Sequence, residues 1–210
     1  MRPLLSRHLL CQLSHAEPPI AVFLHPALAA LPPPTFKLIV DSAIWAIKHS
    51  MRDIADIGLN FTLEMIDNFA KTEEPGVADG FFQAFTVRLV TDILSVLVDP
   101  DHKSGFKTQS VILQRLIHFS MNGLVKVPIY DPAAVPTPGI SNAEYLRDYI
   151  NNLMQTAFPH LQAAQIRQSV ELMFVAHEDP QKFKLALRDF LSASFSTRGT
   201  PLPPLSVPSD

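Results

Sequence analysis

The sequence predicts an all-α chain, an α-solenoid of antiparallel helix pairs with about three and a half repeats. Three observations carry this: where the prolines fall, the spacing of the apolar residues, and the near-equal length of successive helix pairs. Proline inside a helix loses a hydrogen bond and clashes with the preceding turn, so its positions punctuate the chain. Nineteen prolines stand against seven glycines. They cluster before residue 35 and after residue 200, and between the clusters run proline-free stretches at 35–74, 76–99, 101–127, 139–158, 160–179 and 181–200. So few glycines exclude a glycine-rich phosphate loop and a fold built on many tight β-turns.

Seven helices follow, at 35–49, 51–70, 80–98, 105–122, 142–157, 161–177 and 180–193. In the first, Phe36, Ile39, Val40, Ala43, Ile44 and Ile47 recur at steps of three and four, and Trp45 is expected in the core between repeats. The second opens at Ser50 with Asp53 three residues on, the spacing of a capping box, and carries Ile54, Ile57, Phe61, Met65 and Phe69. Asp79 marks the start of the third, ahead of Phe81, Phe82 and Phe85. The fourth shows Val111, Leu113, Leu116, Ile117 and Met121 and stops at Asn122-Gly123. Ser141 with Glu144 caps the fifth. The sixth, after Pro159-His160, carries Val170 and Phe174. The seventh begins with Asp179 as cap and Pro180 at the first helical position, followed by Phe183, Leu187 and Phe190. No sustained period-two alternation occurs, so no strand is predicted.

The links around Ser50, Pro100 to Ser104 and Pro159-His160 are short, so each joins two antiparallel helices. Longer links, Lys71 to Asp79 and Val125 to Ser141, separate the pairs. First helices begin about 45 and then about 62 residues apart, and the second step contains the proline-rich insertion VKVPIYDPAAVPTPGIS. Without it the unit is about 45 residues, close to the HEAT and armadillo range. Helix pairs of that length cannot cover their apolar faces alone and stack into a solenoid. A helical bundle with coincidental spacing is the competing arrangement. The seventh helix is then a repeat cut short, or a cap. The organisation expected is a divergent proline-rich segment at 1–34, helical repeats at 35–193, and a disordered Pro/Ser-rich tail at 194–210. At the two ends Phe23, Leu24, Leu28 and Leu31, or Phe183, Leu187 and Phe190, are expected to stay uncovered and to favour self-association.

An apolar fraction of 47% supplies a core, and a net charge of −3 with pI about 6.2 argues against a nucleic-acid partner. A single cysteine, Cys11, excludes an internal disulfide framework and a cysteine-rich zinc site. The eight histidines form no i, i+4 pair on one helix. Asp99, Asp101 and His102 in PDPDH read as a solvated turn rather than a metal site, and no nucleophile or phosphate-loop motif occurs. No enzyme activity, cofactor or metal is predicted. Arg2 and Arg7 among Leu4, Leu5, Leu9 and Leu10 imitate a targeting peptide, but His8, His15 and Glu17 interrupt the apolar run. No stretch reads as the roughly eighteen apolar residues a bilayer span needs, so no membrane insertion is expected.

On the second helix Asp53, Asp56, Asn60, Glu64 and Asp67 fall at steps of three and four, a polar and largely acidic stripe opposite the apolar one. It reads either as a solvated face or as a contact surface for a basic partner, since equivalent helices of stacked repeats line one wall of the stack.

Three segments carry a resemblance. FLHPALAALPPPTFKLIVDSAIWAIKHSMRDIADIGLN resembles the C-terminal part of the exportin-1 family, the leucine-rich nuclear export signal receptors of the karyopherin-β class. There a proline-marked turn leads into FKL-(I/V)-DS-x-IWA-x-KH and then MR-x-x-AD-x-GL. TAFPHLQAAQIRQSVELMF resembles the family's AFPHLQ segment with its following helix, and FKLALRDFL its F-K-x-x-LRDFL pattern. The resemblance covers roughly residues 23–191. It implies HEAT repeats throughout and a receptor that binds the Ran GTPase in its GTP form together with cargo proteins bearing leucine-rich signals. It also implies carriage past the nucleoporins between nucleus and cytoplasm, with residence at the nuclear pore. The signal groove and the main Ran-binding repeats lie upstream in the family and match nothing here, so this chain would supply the C-terminal repeat arch. Residues 1–22 and the stretch SASFSTRGTPLPPLSVPSD after Leu191 depart from the family pattern, and the chain is expected to be a truncated or mis-assembled product of such a receptor gene. The reading from a different class is a stand-alone helical-repeat scaffold or adaptor without transport activity.

Overall fold

The computed structural model describes Leu28, residues 31–134 and residues 139–196. The expectations about Cys11, Phe23, Leu24, the first residues and the tail from 197 onward lie outside the described residues. Seven α-helices are described, with no strand among the described residues: α1 Pro33–Ile47, α2 Arg52–Ala70, α3 Val77–Leu97, α4 Phe106–Met121, α5 Asn142–Ala157, α6 Ala163–Val175 and α7 Pro180–Ser196. A 3₁₀ turn, Pro100–Gly105, joins α3 to α4.

The helices pair in order, α1 with α2, α3 with α4 and α5 with α6. Successive pairs stack in two layers, α1 on α3 on α5 and α2 on α4 on α6. That layering is an α-solenoid of HEAT-like repeats, not a bundle around one axis. α7 lies against both α6 and α4.

The local signals act as their chemistry requires, with exceptions. Ser141 and Glu144 form a reciprocal capping box at the start of α5. The hydrogen bonds from Ser141 hold the Glu144 carboxyl below the usual carboxylate range. Asp179 Oδ1 accepts from the backbone N–H of Gln181 and Lys182 ahead of Pro180, which lowers its carboxyl in the same way. Gly123 takes the left-handed φ of 67° that ends α4. Ser50, by contrast, does not cap α2. The helix starts one residue later from Met51, whose N–H donates to the His49 ring, and Asp53 lies in the first turn as a charge favourable to the helix dipole. Asp79 lies inside the first turn of α3, which begins at Val77, and its carboxylate accepts instead from the distant Lys126 N–H at 2.7 Å.

Two pairs are welded by phenylalanines. Phe69 stacks on Phe81 at 4.3 Å, Phe81 meets Phe82 edge-on at 5.0 Å, and Phe82 meets Phe119 of α4 at 5.6 Å. Phe36 of α1 touches Phe69, Phe81 and Phe85. At the crossing of α1 and α2 the backbones nearly touch. A Cβ on Gly58 would stand 2.7 Å from the Ile47 nitrogen and 2.8 Å from the Ala46 Cβ.

Three expectations are corrected. Trp45 is 38% exposed and lies edge-on to His49, because the small residues Ala43 and Ala46 occupy the close crossing and turn its ring outward. Phe183, Leu187 and Phe190 are buried, with α7 packed on α6 and α4, rather than left sticky; Leu172, Val175 and Leu185 are the exposed apolar residues at that end. Leu28 is buried as well. α3 proves long and apolar enough, by length and composition, to cross a bilayer. Here it is a packed core helix whose Arg88 and Asp92 form ion pairs with α1.

The described residues of the insertion, 125–134 and 139–141, form a fastened strap. Asn142 accepts from the Ile129 N–H and donates to the carbonyls of Val125 and Val127 at about 3 Å each. Gln83 of α3 donates to the Pro128 carbonyl, and the Tyr130 hydroxyl donates to the Ile140 carbonyl. Val125 and Ile129 are buried beneath it. Asn142→Ala strips three of these bonds from a partly buried clasp, and urea unfolding should record a loss of roughly 1–2 kcal/mol. A loss under ~0.3 kcal/mol would show that the strap is held by Val125 and Ile129 alone.

Candidate functional site

The stripe predicted on the second helix is a continuous face of α2. Ala55, Gly58, Leu59, Thr62, Met65, Ile66 and Phe69 point into the stack, which leaves Asp53, Asp56, Asn60, Glu64 and Asp67 on the other side. From Asp53 to Asp67 the rise of the helix spans roughly 21 Å. Asp53, Asn60 and Glu64 are exposed, and Asp56 and Asp67 are half-buried. Among the described residues Asp53 and Glu64 form no ion pair, whereas Asp56 receives Arg52 one turn before it at 3.4 Å.

The lower end of the stripe differs from the expectation. Asp67 faces Arg115 of α4, with Nε 3.3 Å from Oδ1. Its charge is therefore partly spent on joining the second-layer helices of two neighbouring pairs. Nothing in the sequence marks that partner. The stripe is acidic but partly compensated at both ends, by Arg52 at Asp56 and by Arg115 at Asp67.

A second charged seam joins α1 to α3 in the other layer. Arg88 reaches Asp41 and lies 3.8 Å from Asp92, Lys37 pairs with Asp41 at 2.9 Å, and Lys48 pairs with Asp92. Burial pushes the Asp41 carboxyl up, but the hydrogen bonds from Lys37 and Arg88 outweigh it and hold the group below the ordinary carboxylate range. Three cations and two carboxylates bridge the pairs, so this seam ties repeats together and offers little net charge to a partner. Beside it opens a groove of about 580 Å³ along α1, α3, α5 and the strap, with Tyr130, Tyr145 and Tyr149 stacked along one wall.

PDPDH is a capped turn: Asp99 accepts from the Asp101 N–H at 3.0 Å and meets the His102 ring at 3.1 Å. Among the described residues no group of three or more His, Cys, Asp or Glu is placed to hold a metal ion.

Comparison with known proteins agrees with this architecture. The family model described as CRM1 C terminal matches residues 19–197. The chain is 49% identical over 166 residues to Exportin-1 of Schizosaccharomyces pombe, covering 79% of this chain and 15% of that protein. It is 38% identical over 175 residues to Protein EXPORTIN 1A of Arabidopsis thaliana, covering 83% of this chain and 16% of that protein. Against Exportin-1 of Drosophila melanogaster the identity is 34% over 165 residues, covering 79% of this chain and 15% of that protein. The chain thus spans about one-seventh of the length of these relatives. With paired helices stacked in two layers and a match over most of its length, the chain belongs to the exportin-1 family of nuclear export receptors, in the family's C-terminal region.

Proposed function

We propose that this chain acts as the C-terminal repeat arch of a nuclear export receptor that carries cargo in a Ran-GTP-dependent manner. The observation that supports this reading is the exposed acidic face of α2 on a solenoid of the exportin-1 family. In this reading Asp53, Asp56, Asn60, Glu64 and Asp67 contact basic residues of Ran. Cargo proteins with leucine-rich signals bind repeats upstream of this region in a full-length receptor. Nucleoporins are met during passage, and the receptor moves between nucleus and cytoplasm through the pore. Recognition rests on shape and on long-range attraction between a fixed acidic wall and a basic ligand, which sets the association rate and its salt dependence more than the final affinity.

The test is charge reversal of Asp53, Asp56 and Asp67 to lysine in a full-length receptor, followed by capture of Ran-GTP at two salt concentrations. Each exposed ion pair contributes at most about 1 kcal/mol, so a loss of about tenfold in capture at low salt, shrinking at high salt, is the expected result. Unchanged capture at both salts would remove the stripe from the interface. Failure of this chain to support Ran-GTP capture when it supplies the C-terminal region of a full-length receptor would favour a stand-alone helical-repeat scaffold.

A further inference from the structure

We propose that His118 and His177 form a two-imidazole chelate for a transition-metal ion of the Zn²⁺, Ni²⁺ and Cu²⁺ class, at the junction of α4 with the α6–α7 turn. The two histidines stand 59 residues apart in the chain and on different elements, so no helical i, i+4 spacing announces them. The fold brings their Nδ1 atoms to 3.2 Å, with ring centroids 5.4 Å apart and planes inclined at 40°. Two imidazole nitrogens bound to one tetrahedral ion at about 2.0–2.1 Å stand roughly 3.3 Å from each other. The observed separation is therefore already that of two ligands on one ion. Small rotations of the rings turn the two nitrogens from facing each other to facing a shared point.

The surroundings hold both rings in place. Gln114, one turn before His118 on the same face of α4, is 2% exposed and donates its amide N–H to the His177 carbonyl, which fastens the α6–α7 turn to α4. Its side-chain oxygen is buried without a partner. The Asn122 amide nitrogen lies 2.9 Å from His118 Nε2 and donates to it, so in the neutral ring the proton resides on Nδ1 and is shared with His177. A metal ion takes the place of that shared proton. Nε2 then carries the hydrogen, and a flip of the Asn122 amide presents oxygen to it, the outer-shell support usual for a ligating histidine.

The charges nearby permit a cation. Burial first, and then the charges of His177 and Arg115, push His118 below its ordinary value of 6.5. Arg115 is itself engaged by Asp67, and the Glu178 carboxylate acts in the opposite sense, favouring positive charge at His118. Both histidines are half-buried, so water has access to the remaining coordination positions. Imidazole ligands select the zinc, nickel and copper class over Mg²⁺ or Ca²⁺.

The experiment uses the whole chain, purified without chelator or histidine tag, with thermal unfolding followed in NiCl₂ at pH 7.5. A dose-dependent rise in melting temperature of about 3–5 °C is expected, reversed by EDTA, absent with MgCl₂, and lost at pH 5.5 where protons compete. His118→Gln and His177→Gln should each abolish the rise. Should either variant fail to fold, broadening of the histidine ring signals of the unaltered chain by trace Cu²⁺ decides the matter. Broadening centred on His118 and His177 supports the site. A melting temperature unmoved by nickel, a rise retained in both variants, or broadening confined to the other histidines would overturn it.

Discussion

Phe82→Ala should lower the unfolding free energy by about 3–5 kcal/mol, the range for truncating a fully buried aromatic ring. Phe82 is 1% exposed and lies inside the second helix pair, next to the Phe81 ring that reaches the first pair. On one side it meets Phe81, which is stacked on Phe69 of α2; on the other it meets Phe119 of α4. Removing the ring costs its transfer from water and leaves a void walled by other rings. Those rings are fixed by their own edge-on and stacked contacts, so collapse into the void is limited. Urea unfolding monitored by helical circular dichroism measures the loss. A cost below ~1.5 kcal/mol would mean that the phenylalanine chain repacks freely and is not the weld between repeats.

Gly58→Ala should cost about 2–3 kcal/mol, although alanine is the better helix former by about 1 kcal/mol. The added methyl would meet the Ile47 backbone nitrogen at 2.7 Å and the Ala46 Cβ at 2.8 Å, with the Ala43 carbonyl at 3.0 Å. None of these is the mobile end of a long side chain, so α1 must move away from α2 as a body, and overpacking of that kind outweighs propensity. Gly80 supplies the opposite case. It lies in α3 with nothing within 4 Å of the place an alanine methyl would take, so Gly80→Ala should stabilise by up to about 1 kcal/mol. If the two substitutions have the same sign, close approach at the α1–α2 crossing is not what selects glycine at 58.

The helices are legible in the sequence because proline and apolar period report on local geometry. The ends of α5 and the starts of α2 and α7 lie within a residue of the expected positions, and α4 differs by one residue at each end. Signals of one kind mislead: Ser50 and Asp79 have the residue types of helix caps, but Met51 and Gly76 occupy the N-cap positions of α2 and α3. The His49 ring takes the Met51 N–H, and Asp79 is drawn to Lys126 by the strap. The outward turn of Trp45 is unreadable, because hydrophobicity cannot say that two alanines beside it claim the close crossing. The face of α2 is visible in the spacing of its polar residues. Its compensation by Arg115 is not, since that pair forms only when α4 is laid beside α2. The meeting of His118 with His177 and the three hydrogen bonds of Asn142 to the strap are of the same type, pairings that tertiary packing creates.

Because α7 touches α4 as well as α6, this helix reaches past its nearest neighbour. In a simple linear array each unit touches only the next and can loosen alone. Here, loosening α7 also strips partners from the second helix pair, so local opening of α7 carries a penalty shared over two units. Mechanical strain arriving at α7 would accordingly be passed on to the second helix pair.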